Sequence, residues 1–334
     1  MSYDWRKHEK PGLGVFFRDR AFDDGIPGKQ KFKANSTVYV NPKIRVDQIR
    51  SACERGLPEV GVFEPHERTL ALCGYGPSLR EFVDELKNTK ADILTTSGAH
   101  DVLVDAGVYP TYHVECDAQK HKAKLLQKPN DVTRYLIASC CHPDVFENLR
   151  GRNVALWHIA HSKEEDAEVD QHVKRAVKVI GAPSSGGRSM GLAFVMGFRR
   201  FMVYGMDSSF PFDESIDEKE QLQHAGDHPN QDWNSKHVFR TDPINGKAYY
   251  TTLPLLIAAQ SFYTIAEKTQ GKFLIRGDSM LAAMVKARDH ERLAAYPDDE
   301  LLASWLSHAE HASLQPRKGP VPEDSPFGRE RAAA

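Results

Sequence analysis

The chain has 334 residues, 40% of them apolar and 27% charged, with a formal net charge of −2. That is enough for one large or two small domains of an ordinary globular protein. The near-neutral charge argues against a chain held mainly by nucleic-acid backbone. No apolar run is long enough to cross a bilayer, and the N-terminal MSYDWRKHEK lacks an apolar signal region, so a cytoplasmic location is expected. Five cysteines (Cys53, Cys73, Cys116, Cys140 and Cys141) show no CxxC pairing. Cys73 and Cys116 lie in apolar strand-like runs, which predicts reduced core thiols and no structural zinc.

Residues 1 to about 66 are irregular and locally basic, punctuated by PGLG and DDGIPGKQKFK. Trp5, Phe16, Phe17, Arg18, Arg20, Lys29, Lys31 and Lys33 suit either a polyanion contact or an arm packed on the domain or on a second subunit. The arm is the favoured reading. Within this region VNPKIRVDQIRSACERGLP predicts a helix with Ile44, Val46, Ile49 and Cys53 near one face and Gly56 as its stop.

From Thr69 onward strands and helices alternate, which predicts a mainly parallel sheet with helices on both faces. TLALC (Thr69 to Cys73) reads as a buried strand that stops at Gly74-Tyr75-Gly76, with Pro77-Ser78 opening a helix through Arg80, Phe82 and Leu86. Two glycines allow a tight turn and close backbone approach, and Pro77 suits the first helical position. Free N–H groups at such a helix start form an anion site, so the stretch reads as a phosphate loop or as a plain βα turn.

Further units follow in order. Asp92 to Thr96 is a strand with a Ser97-Gly98 turn and a helix ending at Gly107. TYHVECDA is a strand ending on Asp117, and Arg134 to Ser139 is another, with His142-Pro143 opening a helix to Leu149. Asn153 to Ile159 is a fifth strand, followed by a polar helix from about Glu164 to Val177. The segment GAPSSGGRSMGLAFVMGFRRFMVYGMD predicts a Gly/Ser-rich turn, a helix from about Gly187 to Met196, and a strand Phe201 to Tyr204 ending at Gly205-Met206-Asp207. The small residues Gly187, Ser189, Gly191 and Ala193 place that helix very close to the sheet or to a ligand. Residues 208 to 246 form a long polar segment whose Trp233, Phe239 and histidines suggest a lid. A short strand and long helix (AYYTTLPLLIAAQSFYTIAEKTQG) precede a last strand–turn–helix, KFLIRGDSMLAAMVKA, with Gly277-Asp278-Ser279 at its turn. A final helix from Asp298 to about His311 carries Leu301, Leu302, Trp305 and Leu306. The tail after Leu314 has the composition of a disordered segment.

A sheet of this kind places ligands at the carboxyl ends of its strands. The predicted ends are Gly74–Ser78, Ser97-Gly98, Asp117, Ser184–Gly187, Asp207 and Gly277–Ser279. They collect the glycines, hydroxyls and acids that a phosphorylated ligand needs.

The blocks GYGPSL, SGAH, a strand ending in Asp117, and SSGGRSMGLAFVMGFRRFMVYGMD resemble the 6-hydroxymethylpterin diphosphokinase-like family, together with motility-associated factor glycosyltransferases and bacterial CMP-sialic-acid sialyltransferases. The resemblance covers roughly Thr69 to Val285. It implies an α/β, Rossmann-like three-layer sandwich with a mainly parallel sheet, an extended N-terminal arm and a C-terminal helix. The expected divisions are 1–66 (arm and short helix), 67–290 (nucleotide-binding transferase domain) and 291–334 (helix and tail). By position, the resemblance puts Gly74, Gly76, Pro77 and Ser78 at the nucleotide phosphates and Ser185 and Gly186 at the donor nucleotide. Ser97 and Asp117 fall where the sialyltransferases carry nucleotide-contacting asparagines. An aspartate cannot donate like an amide, so a metal or a ribose hydroxyl is the alternative partner for Asp117. The histidine base of those sialyltransferases has no counterpart here, because the corresponding segment reads GKAYYTT.

Transfer of a glycosyl or diphosphate group needs the leaving phosphate's charge stabilised and an acceptor hydroxyl deprotonated. His224 in QHAG is the first expectation for the base, with His228 and His237 as rivals. Asp207, ending a core strand, would orient an acceptor or hold a metal, or else cap a turn. Arg188 and Gly187 are assigned to the phosphates, with a surface ion pair as the alternative for Arg188. Asp278 and Ser279 would touch the nucleotide or cap a helix. The expected activity is a nucleotide-dependent transfer, with a nucleotide-sugar donor favoured over ATP with Mg²⁺; a non-catalytic nucleotide-binding module is the third reading. The acceptor is open, and the N-terminal arm and the Trp305 helix would serve a homo-oligomer.

Overall fold

The computed structural model describes residues 40–174, 176–180, 182–210, 238–241, 243–269, 271–288 and 293–295. Helix α1 (Pro42–Cys53) comes first, with Asn41 capping its N-terminus and Pro42 in its first turn. Strand β1 (Thr69–Cys73) leads through a 3₁₀ turn (Pro77–Phe82) into α2 (Val83–Asn88). Then come β2 (Asp92–Thr96), α3 (Ala99–Asp105), β3 (Tyr112–Glu115), β4 (Arg134–Ala138), α4 (Pro143–Asn148), β5 (Val154–Ala160), α5 (Lys163–His172) and β6 (Lys178–Ile180). Helix α6 (Ser185–Val195) and β7 (Arg200–Tyr204) follow, and β8 (Val238–Arg240) pairs antiparallel with β9 (Tyr250–Thr252) as a separate ribbon. The described chain closes with α7 (Leu253–Thr269), β10 (Lys272–Ile275), α8 (Met280–Arg288) and β11 (Leu293–Ala295).

Nine of these strands form one sheet in the order β11-β10-β7-β1-β2-β3-β4-β5-β6, and every neighbouring pair is parallel. Alternation along β1 shows why three layers result. Leu70 and Leu72 pack into a large core with residues of α1, α4, α5, α6, α7 and α8. Ala71 and Cys73 face a smaller core with Leu79, Leu86, Ala99 and Leu103. Both faces of the central strands are thus covered, which is what makes them continuous apolar runs rather than alternating ones. All five cysteines are free thiols, with Cys73 and Cys116 buried as expected.

The chain steps from β1 outward to β6, then returns to lay β7 against the other side of β1. The boundary between β1 and β7 is therefore the point where strand order reverses, and a doubly wound sheet opens a crevice there.

Some expectations are corrected. The apolar-face reading of α1 fails: Ile44 is 52% exposed, while Arg45, Gln48, Ile49 and Ala52 are buried. Two of these, Arg45 and Gln48, face inward with hydrogen-bond partners for their donors, although the Gln48 side-chain oxygen has none. Arg45 binds Glu165 of α5 through two hydrogen bonds of 3.0 and 2.8 Å, and Gln48 donates to the Ala118 carbonyl at 3.2 Å. The polar helix ends at His172 rather than near Val177, and β6, a three-residue edge strand too short to show a period, follows it. Residues 58–66 bond to the body through Val60 N–H to Leu156 O, Phe63 N–H to Val195 O and His66 N–H to Gly197 O. On the far side, β11 pairs with β10, so residues 293–295 join the sheet. The Trp305 helix, the arm before residue 40 and residues 211–237 of the expected lid 208–246 lie outside the described residues.

The Arg45–Glu165 pair is nearly dry, with side chains 9% and 2% exposed. Removing one partner leaves the other as an uncompensated buried charge. Glu165→Ala is expected to cost about 3–5 kcal/mol in urea unfolding, whereas Lys87→Ala, which breaks an exposed pair with Asp84, should cost under about 1 kcal/mol.

Candidate active site

At the β1/β7 boundary two backbones meet with almost no side-chain separation. A Cβ on Gly74 would lie 2.5 Å from the Gly205 carbonyl oxygen, and one on Gly76 would lie 2.6 Å from the same atom. Gly74 N–H donates to Tyr204 O at 2.8 Å and Gly76 N–H to Gly205 O at 2.7 Å. Ser78 donates twice to Asp207: its N–H to Oδ2 at 2.9 Å and its hydroxyl to Oδ1 at 2.5 Å. Leu79 N–H closes a 3₁₀ bond to Gly76 O.

Gly74, Gly76, Pro77 and Ser78, the residues expected at the nucleotide phosphates, form this junction. The N–H groups of Gly74, Gly76, Ser78 and Leu79 are all spent within the protein, and Pro77 has none. The helix start does attract an anion, as its unpaired donors require. That anion is the Asp207 carboxylate.

Asp207 is 4% exposed. Burial pushes its carboxyl up to about 6 against the opposing pull of the two Ser78 hydrogen bonds, with a smaller push from Glu81. The next residue, Ser208, has φ +53°, a left-handed turn uncommon for a residue with a side chain. Ser209 ties the turn down: its Oγ accepts from Met280 N–H and donates to Asp207 O. Ser279 accepts from Ala282 N–H through its Oγ and so caps α8, while Asp278 pairs with Lys247 at 2.5 Å. A cavity of about 80 Å³ opens here, lined by Ser78, Glu81, Asp207, Phe210, Tyr249 and Asp278 among others. Its charge is acidic, and it is too small for a whole nucleotide.

Met206 lies against both the β1 loop and the start of α6, since a Cβ on Gly186 would lie 2.6 Å from its Cε and one on Gly74 would lie 2.9 Å from its Cγ. Ser184 caps α6 by accepting from Gly187 N–H. Gly187 is confined by Ala182 and Ile265, so its small size serves packing. Arg188 Nη1 donates to the Cys116 carbonyl at the end of β3. Asp117 accepts from Gln119 N–H and stands 3.6 Å from Lys122. Ser97 has φ +52°, and its buried Oγ finds no partner. Beside it, the Tyr75 ring closes over Gly98, where a Cβ would meet ring carbons at 2.6 Å.

His224, His228 and His237 lie outside the described residues. Four residues not singled out from sequence join the α6 side: Arg45, Gln48, Cys140 and His161. The strand-end rule reaches Cys140 and His161, which follow β4 and β5. Nothing in the sequence pattern of α1 marks Arg45 or Gln48.

A family model described as 6-hydroxymethylpterin diphosphokinase MptE-like matches residues 47–213, half of the chain. The chain belongs to the MptE-like family. Among solved structures, this MptE-like chain resembles the MAf glycosyltransferase from Magnetospirillum magneticum AMB-1, with a TM-score of 0.56 and 12% identity over 82% of this chain. It spans 43% of that longer protein. The sialyltransferase CstII from Campylobacter jejuni also matches, at 12% identity over 72% of this chain and 99% of that one, with a TM-score of 0.28. Comparison with curated proteins found no match. The family match and the fold shared with the first structure agree with the resemblance read from the sequence. Among the described residues, no helix is long and apolar enough to cross a membrane, and no three metal-ligating side chains stand together.

Because the folded pKa of Asp207 lies above the ordinary carboxyl value, its native-state proton contributes stability at low pH that is lost as pH rises through about 6. The shift corresponds to roughly 3 kcal/mol. Asp207→Asn keeps an acceptor for Ser78 N–H and needs no buried charge. It is expected to flatten the pH dependence between 4 and 7 and to raise the unfolding midpoint at pH 7.5, measured by urea melts at pH 5 and 7.5.

Proposed function

We propose that the chain is a nucleotide-dependent group transferase that moves a glycosyl group from a nucleotide-activated sugar to a hydroxyl acceptor. One observation carries the reading: a buried carboxyl titrating near 6, hydrogen-bonded to a serine hydroxyl, beside a cleft at the strand-order reversal of the sheet. A general base works best with a pKa near the operating pH, and perturbed carboxyls in clefts cluster at functional sites.

In this reading the acceptor hydroxyl gives its proton to Asp207, directly or through the Ser78 hydroxyl. The acceptor oxygen forms its bond to the sugar's anomeric carbon as the bond from that carbon to the donor phosphate breaks. The leaving nucleotide carries away the electron pair. Phe210 and Tyr249 provide aromatic walls for the acceptor, and the acidic lining favours a neutral or cationic one. Ser185 and Gly186, in the first turn of α6, serve the donor.

A second reading draws on the family's description as 6-hydroxymethylpterin diphosphokinase MptE-like, with ATP and Mg²⁺ as the donor system that a diphosphate transfer would take. It needs carboxylates free to hold metal. Both Asp207 oxygens already accept from Ser78, and Asp117 is engaged by Gln119 and Lys122, which favours glycosyl transfer.

A thermal-shift panel of CMP-, UDP- and GDP-sugars and ATP, each with and without Mg²⁺, separates the two. Metal-independent stabilisation by a nucleotide sugar is the expected result, and Mg²⁺-dependent stabilisation by ATP alone would overturn it. With a responsive donor in hand, kcat/KM should rise with pH through about 6 and level off, because the base must be ionised. Asp207→Asn should lower turnover on the order of a hundredfold or more while leaving donor binding intact.

A further inference from the structure

Two left-handed residues bracket the turn that follows β7. Gly205 (φ +58°) adopts that backbone freely, whereas Ser208 (φ +53°) carries a Cβ that opposes it. Such a conformation persists only where the surroundings over-determine it. Here the antiparallel ribbon does so. Thr251 of β9 is fully buried, and its hydroxyl donates to the Ser208 carbonyl oxygen at 2.7 Å. One residue earlier on the same strand, Tyr250 O accepts from Phe210 N–H at 2.8 Å. From the other side, the start of α8 grips the turn through Met280 N–H to Ser209 Oγ and Leu281 N–H to Asp207 O.

Asp207 sits between the two left-handed residues. Its carboxyl meets the Ser78 N–H and hydroxyl while Ser208 keeps its carbonyl on Thr251. A return of Ser208 to negative φ redirects the chain at this point and swings the carboxyl out of those bonds towards water. Burial is the largest influence on the proton affinity of Asp207 and outweighs the opposing Ser78 bonds, so hydration lowers that affinity. The other charged groups around the cavity are Glu81 of the 3₁₀ turn, which pushes in the same direction as burial, and Asp278, paired with Lys247; Tyr249 of the ribbon side completes the wall.

We infer that Thr251 is a positioning residue: its hydroxyl holds Ser208 left-handed from the ribbon and thereby aims the Asp207 carboxyl at Ser78 and keeps it out of water. Only the part played by Asp207 as the base rests on the transferase reading; the clasp and its effect on the carboxyl do not. Thr251 acts through Ser208, so the ribbon, which is separate from the main sheet, becomes part of what sets the acid–base group.

The test follows the Asp207 carboxyl in the full chain by carbon-13 NMR titration of aspartate-labelled protein, with its signal assigned as the one missing from Asp207→Asn. Thr251→Val keeps the side chain's shape and removes the donor; the Asp207 midpoint should fall from about 6 by about one pH unit or more. Thr251→Ser should keep the wild-type midpoint. Adding Ser208→Gly to Thr251→Val should restore it, because glycine takes the left-handed turn unaided. Thr252→Val is the control on the same strand: its buried hydroxyl meets no partner among the described residues, so the midpoint should stay where it is. If Thr251→Val does not fold, Ser208→Val, which resists positive φ with the Thr251 hydroxyl in place, should show the same fall. A wild-type midpoint in the ordinary carboxyl range, an unchanged midpoint in the folded variant, an equal fall in Thr252→Val, or no recovery with Ser208→Gly would each overturn the inference. With a responsive donor, Thr251→Val should also lower the kcat/KM plateau about tenfold or more and move its pH step down with the carboxyl. A lowered NMR midpoint in a chain whose wild type transfers no sugar keeps the clasp and removes the transferase reading. Sugar transfer with the pH step at about 6 in both wild type and Thr251→Val does the reverse.

Discussion

The capture of the Ser78 N–H and hydroxyl by the Asp207 carboxylate is the interaction on which the rest of the functional region depends. It joins the end of β1 to the end of β7 across the one boundary where strand order reverses. The glycines on both sides are what permit it, since Gly74, Gly76 and Gly205 bring backbone within van der Waals reach of backbone. Burial at this junction raises the proton affinity of Asp207, and the two Ser78 bonds oppose that rise.

From that contact the region divides by charge. On the cavity side lie Glu81, Asp207 and Asp278, with Lys247 already bound to Asp278. On the α6 side lie Arg188 and Arg45, the latter bound by Glu165. Burial works against the ionised form on both sides: it raises the proton affinity of the Asp207 carboxyl and opposes the charge of Arg188, which donates to the Cys116 carbonyl.

Alternating strands and helices, free thiols in the core and most strand positions were legible from residues 69 to 285, because apolar runs five to seven residues long bounded by glycine and polar turns have few other readings. The position of Asp207 at the end of a core strand, beside the crevice of a doubly wound sheet, was also legible. The GYG spacing was read correctly as a demand for close approach, but it was assigned to a ligand. Glycine reports that something comes near and carries no information about what does. Here it is Gly205.

By itself, then, the sequence determined the layer architecture and the list of strand ends, because both follow from local periodicity and turn chemistry. Only the tertiary structure decided which ends pair. It filled the helix start after β1 with a carboxylate from 129 residues away, turned Arg45 and Gln48 of α1 inward against the apolar pattern, and set Arg188 against the Cys116 carbonyl. Those outcomes depend on charge partners distant in sequence, and no local pattern encodes whether a buried ion will find one.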